Sequence, residues 1–209
     1  MPVGALLCVR CTRGVVADAD GSWICERHGP VEGLADAMEF GPEALATLLY
    51  TDGAVPAWVP WPLPPDWSVT GVRRTGEGAA AMHAVAVSCT GPGMLGGVAE
   101  LVVVAEEPGV GLGARYAGRT QPDPGPALTT AAPDTKVFAA GHPTPLWSVP
   151  GGSDRAVYVG EALGRWLWLV VWPATEFMVV HDHLSLVDLR DPTLAYELPT
   201  GELSGPILE

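Results

Sequence analysis

The chain has 209 residues, and its 24 acidic side chains outnumber 11 lysines and arginines to give a formal charge of −13 at pH 7. That length suits one main domain with a small appendage better than two full domains. Acidity without a basic run argues against nucleic acid, whose phosphates call for clustered Lys and Arg, and no apolar run of about eighteen residues predicts a membrane span.

The start, Met1 to Cys8, resembles a lipoprotein cleavage site but lacks a basic leader and a long apolar stretch, and Leu7 stands where a small residue is needed. A cytoplasmic chain is therefore expected, and there paired cysteines favour metal over disulfides.

Cys8-Val9-Arg10-Cys11 and Cys25-Glu26-Arg27-His28 are separated by thirteen residues. Two such knuckles present four soft ligands to one tetrahedral zinc. Residues 1–33 are read as a zinc ribbon, with Cys8, Cys11, Cys25 and His28 holding structural Zn2+. A segment this short cannot build a sufficient apolar core and must draw stability from a metal. All four coordination positions belong to protein, so no water-activating position is left and the metal is non-catalytic. Between the knuckles, 15–17 and 22–24 read as two strands around Asp18-Ala19-Asp20-Gly21, a hairpin that returns Cys25 to Cys11. Trp23 is expected to cover the metal site or to dock the ribbon.

Residues 34–68 form a helix and a Pro/Trp-rich connector. Gly41 to Tyr50 has proline at its first helical position and Leu45, Leu48 and Leu49 at helical spacing, with Thr51-Asp52-Gly53 as the stop. Val55 to Trp67 is too proline-rich for a helix, so an extended crossing is expected that packs Trp58, Trp61 and Trp67 onto the larger domain.

Residues 69–209 read as a β-rich domain. Val69–Arg74 and Ala79–Cys89 form a hairpin around Thr75-Gly76-Glu77-Gly78, with Val85, Val87 and Cys89 on one face. In Val98–Glu106, Leu101, Val103 and Ala105 oppose Val102 and Val104, which marks an inner strand. Residues 107–133 are rich in Gly and Pro and predict a long ordered loop with at most one short helical turn. Further strands are expected at 136–140, 145–149, 155–160 and 165–172, and Phe177 to Leu189 is expected to close a last hairpin. Strand following strand favours an antiparallel sheet, so the fold class is α+β, mainly antiparallel β with an N-terminal zinc ribbon.

Two further constellations have chemical potential. Gly111 and Gly113 with Arg115 and Arg119 follow a strand, and glycine amides beside arginines can cradle an anion, although the spacing fits neither G-x-G-x-x-G nor G-x-x-x-x-G-K-S/T and no clear helix follows. His181 and His183 share one face of the expected strand and form half of a second metal site, with His83, His142 or Glu176 as conceivable third ligands. Cys89 sits in a strand pattern as an inert buried thiol.

Several stretches together, the cysteine pairs, Pro56 to Pro64, Gly91 to Gly97, Gly109 to Gly118, Pro143 to Trp147 and Asp188 to Asp191, resemble an uncharacterised actinobacterial protein family of about this length. Some relatives are labelled phosphotransacetylases; this chain is too short and too β-rich for that fold. The resemblance implies no activity. The residues point to a protein-binding or accessory module, not an enzyme; the alternative is an enzyme or small-molecule and anion binder with its site under the loop 107–133.

Overall fold

The computed structural model describes residues 6–50, 55–76, 82–181, 184–191 and 197–209. Among them, nine strands form one curled sheet. In chain order these nine strands are numbered from β6 (Trp58–Pro60) and β7 (Ser68–Arg74) through β8 (Ala84–Pro92), β9 (Val98–Glu106), β10 (Thr135–Ala139), β11 (His142–Ser148), β12 (Ala156–Ala162) and β13 (Arg165–Trp172) to β14 (Ser185–Asp188). Their spatial order is β6-β14-β10-β11-β12-β13-β9-β8-β7, and all pairings are antiparallel except β10 with β14. Five smaller strands precede them: β1 (Leu7–Cys8) pairs with β5 (Gly33–Leu34), and β2 (Val16–Ala17), β3 (Trp23–Cys25) and β4 (Gly29–Val31) form a separate three-stranded sheet.

The period-two pattern of β8 and β9 sorts their side chains onto two faces. Val85, Val87 and Cys89 join Leu101, Val103 and Ala105 in one apolar layer, covered by α1 (Pro42–Tyr50) through Ala44, Leu45 and Leu48 and by the connector through Trp58 and Trp67. Ala84, Ala86, Val102 and Val104 face the opposite layer. There the cover comes from Val9 and Leu34 of the N-terminal segment, Leu112 and Tyr116 of α2 (Leu112–Tyr116) and Ile207 of α4 (Gly205–Leu208); a further short helix, α3, spans Ala127–Thr130. Because both faces are covered, β13 can be apolar after Arg165: Leu167, Leu169 and Val171 fill one layer, Trp168 and Val170 the other.

The tip of the β7–β8 hairpin, with Glu77, Gly78 and Ala79, and the expected helix stop at Thr51-Asp52-Gly53 lie outside the described residues. Trp67 packs flat on Gly91, where an added Cβ would meet its ring at 2.2 Å, and its indole nitrogen donates to Pro92 O at 3.3 Å. The connector is thus extended and docked.

Phe177 to Leu189 does not close a hairpin. Residues Ala174–Val180 form a 3-10 helix, and β14 then leaves β13 altogether to lie between β10 and β6. The reason is tertiary. The Glu176 carboxylate, itself buried, accepts the amides of Met94 at 2.7 Å and Leu95 at 3.1 Å, tying this segment to the turn after β8. Asp188 accepts the amide of Ala57 at 3.1 Å and pairs with Arg190 at 2.6 Å, fixing β14 against β6.

Candidate metal centre

The hairpin β2–β3 turns at Asp18–Ser22, where the Asp18 amide donates to Ser22 O at 2.7 Å and Gly21 takes φ 85°. That turn returns Cys25 toward the first knuckle. In the knuckle itself the Cys11 amide donates to Cys8 O at 3.2 Å and the Cys8 amide to Arg13 O at 2.7 Å, curling the chain around the two sulfurs. One ligand atom from each of Cys8, Cys11, Cys25 and His28 lies within 4.8 Å of all the others, and all the cysteines are free thiols.

The spacings fit one tetrahedral ion. With metal–sulfur bonds of about 2.3 Å and a metal–nitrogen bond of about 2.0–2.1 Å, tetrahedral geometry places sulfurs about 3.8 Å apart and sulfur about 3.5 Å from nitrogen. Cys11 Sγ and Cys25 Sγ are 3.8 Å apart, and Cys8 Sγ lies 3.5 Å from His28 Nδ1, with Cys25 Sγ at 3.8 Å from the same nitrogen.

The electrostatics match a site prepared for a cation. Burial, with the neighbouring thiols of Cys25 and Cys11, pushes the Cys8 thiol up to about 12. Burial also acts to raise Cys25, but the amides of Arg27 and His28 outweigh it and hold that thiol below its ordinary value. Burial, with Arg27, Arg10 and Arg13 nearby, lowers His28 and keeps its imidazole neutral, the form that ligates metal. A divalent ion held there would supply the positive charge that favours thiolates at all three sulfurs.

Two arginines fasten this cluster to the sheet. Arg10 Nε donates to Val110 O at 3.0 Å and Arg10 Nη2 to Gly109 O. Arg115 Nη1 donates to Cys8 O at 2.9 Å and Cys11 O at 2.5 Å, while its Nε donates to Glu209 O at 2.8 Å. Arg115 thus joins the first knuckle to the last residue of the chain, next to Ile207 O, which accepts from Tyr116 at 3.0 Å.

The glycine loop after β9 has a different occupant from a bound anion. Gly111, at φ 95°, and Leu112 donate their amides to Glu106 Oε2 at 2.9 and 2.6 Å. The amides that read as a phosphate cradle surround the protein's own carboxylate, and a short helix does follow. Gly113 is set flat on Trp168, whose Cδ1 an added Cβ would meet at 2.1 Å, so its lack of a side chain serves packing. Arg119 donates to Pro150 O at 2.9 Å and to Pro124 O at 3.2 Å. The sequence signal that marks Glu106 is a carboxylate ending an apolar strand, the first of a Glu-Glu pair, just before a glycine run.

His181 Nε2 lies 2.9 Å from the Tyr158 hydroxyl, and its ring meets Tyr158 and Phe177 edge-on. His183 lies outside the described residues, and among those described the Cys/His set is the one group of three or more ligands close enough to share an ion. Cys89 is fully buried in the apolar layer, which raises its thiol.

The chain belongs to a family of unknown function (DUF6758), whose model matches residues 3–207. No curated protein and no solved structure matches it. No described helix is long and apolar enough to cross a membrane.

Proposed function

We propose that this member of a family of unknown function carries one structural Zn2+ on Cys8, Cys11, Cys25 and His28, making residues 1–33 a zinc ribbon, and that it works in the cytoplasm as an accessory module that binds another protein. The observation that carries the reading is the agreement of the sulfur and nitrogen spacings with a single tetrahedral ion. The soft three-thiol, one-imidazole set selects zinc over hard cations. With every ligand supplied by the chain, the ion organises backbone and leaves no position for substrate, which is why binding is the better role than catalysis. Acidity across the chain favours a protein over a nucleic-acid partner.

The test is elemental analysis of protein purified without added metal, with thermal melts in the presence and absence of a chelator. One zinc per chain, lost in Cys25→Ser, is expected. Absence of zinc in the intact protein, or its full retention in Cys25→Ser, would overturn the assignment.

A further inference from the structure

A cleft of about 840 Å³ lies between the N-terminal segment and the sheet end, lined by Trp23 and Pro30 from the former and by His83, Glu107 and Pro108 from the latter. Its polar residues come from strand register. Ala84 of β8 and Trp166 of β13 both pair with Glu106 of β9. One step further along the same three chains stand His83, Glu107 and Arg165. The Glu107 amide donates to His83 O at 2.9 Å, and the His83 amide donates to Thr75 Oγ1 at 3.1 Å, so the backbone holds His83 from both sides. Arg165 pairs with Glu107 Oε1 at 3.1 Å, and Glu107 Oε2 lies 3.0 Å from His83 Nδ1.

A carboxylate only accepts, so Nδ1 carries the proton that Glu107 receives, and in the neutral ring Nε2 is then a bare acceptor. Arg165 fixes the carboxylate and the carboxylate fixes the ring. The His83 side chain is 37% exposed in the cleft wall, and no described residue bonds Nε2. Facing it, Trp23 and Pro30 offer flat apolar surface. A pocket of this size, apolar along Trp23, Pro30 and Val110 and polar over the rest of its lining, suits a small ligand that carries both a ring and a polar group.

We propose that this cleft binds a flat aromatic or heteroaromatic molecule bearing an O–H or N–H group, with that group donating to His83 Nε2 and the ring lying against Trp23. Trp23 and Pro30 lie in the segment read as the zinc ribbon, so that wall rests on the metal reading, whereas Glu107 and Arg165, which orient the imidazole, lie at the end of the sheet.

The test is a titration of the full-length protein, its zinc content determined beforehand, with phenol and with anisole, followed by long-range proton–nitrogen NMR of the imidazoles. Anisole keeps the ring and lacks the donor. Phenol is expected to shift the His83 Nε2 resonance and to bind about fivefold more tightly than anisole, the worth of one hydrogen bond. His83→Phe should abolish that preference, whereas His142→Phe, on the exposed start of β11, should keep it. Equal affinity for the two probes, no response of His83, or an unchanged preference in His83→Phe would each overturn the proposal. A ring that serves only to latch strand ends gives one of those results. The zinc content is read on the same sample, so failure of the metal assignment and failure of the cleft are separate outcomes.

Discussion

Across β9 and β13 nearly every side chain is buried, Val102 and Val104 against one layer and Leu167 and Leu169 against the other. From residue 6 to residue 34 the buried apolar side chains are only Leu6, Cys8, Val9, Cys25 and Leu34, and two of these are metal-ligand candidates. The sheet holds its two covering layers through the hydrophobic effect, at roughly 25 cal/mol per Å² removed from water. The N-terminal segment has too little area for that, so its order rests on what joins the four ligand residues and on the arginines that moor it. Two kinds of perturbation should therefore separate two parts of a chain that pack against each other.

The largest effect is expected at the cluster. Apparent zinc affinities of about 10–16 kcal/mol in small fingers exceed anything else available to residues 6–34. Cys25→Ser should strip amide protection from that segment in hydrogen exchange while β8, β9 and β13 keep theirs. Loss of protection spread evenly over the sheet would erase the contrast. The mirror experiment is Leu169→Ala, which empties a fully buried position where β13 pairs Tyr158 on one side and Val103 on the other. It should cost about 2–5 kcal/mol in denaturant unfolding, with metal content unchanged.

Glu106 sharpens the comparison, because it is a charge placed inside the sheet's own layer. It is fully buried, its Oε1 has no hydrogen-bond partner among the described residues, and burial pushes its carboxyl from 4.5 up to about 7 against the pull of the amides that bond Oε2. The folded state therefore binds the proton more tightly than the unfolded chain does. The resulting stability is complete below about pH 4.5 and falls as pH rises to about 7, a loss of roughly 3 kcal/mol from this one group. Glu106→Gln keeps an oxygen for the amides of Gly111 and Leu112 and removes the titration. In urea melts it should match the parent near pH 4 and exceed it at pH 8; parallel pH profiles for the two proteins would refute the buried charge.

What could be read from the sequence follows the range of the interactions involved. The clustering of Cys8, Cys11, Cys25 and His28 was legible because each knuckle spans four residues and its chemistry depends on spacing alone. The inner position of β9 was legible because alternation is a local pattern. The 3-10 helix at 174–180 was not: Phe177, Met178, Val179 and Val180 are an apolar run that suits a strand, and what bends it is Glu176 captured by amides more than eighty residues earlier in the chain. The place of β14 between β10 and β6 depends on a parallel partner nearly fifty residues away, which no local pattern encodes. The glycine loop was legible as a cradle for negative charge, but the charge is Glu106; of the arginines beside it, Arg115 reaches carbonyls from both ends of the chain and Arg119 those of Pro124 and Pro150.

Smaller effects distinguish mooring from decoration. Arg115 gives a charged donor to Cys8 O, Cys11 O and Glu209 O, and Arg115→Ala leaves those carbonyls to water or to nothing. About 2 kcal/mol is expected, read as faster exchange of the Cys8 and Cys11 amides, which donate within the knuckle, with the sheet untouched. Arg13 makes an equally short contact, 2.7 Å to Glu26, yet the side chains are 56% and 86% exposed. An ion pair in water holds two long side chains in one geometry for little net gain, typically below about 1 kcal/mol. Arg13→Ala should therefore leave thermal stability and zinc content where they were. If instead it loosened the knuckle as much as Arg115→Ala does, the segment would be held by its surface charges, and neither the metal nor the bonds that anchor it to α2 would explain its order.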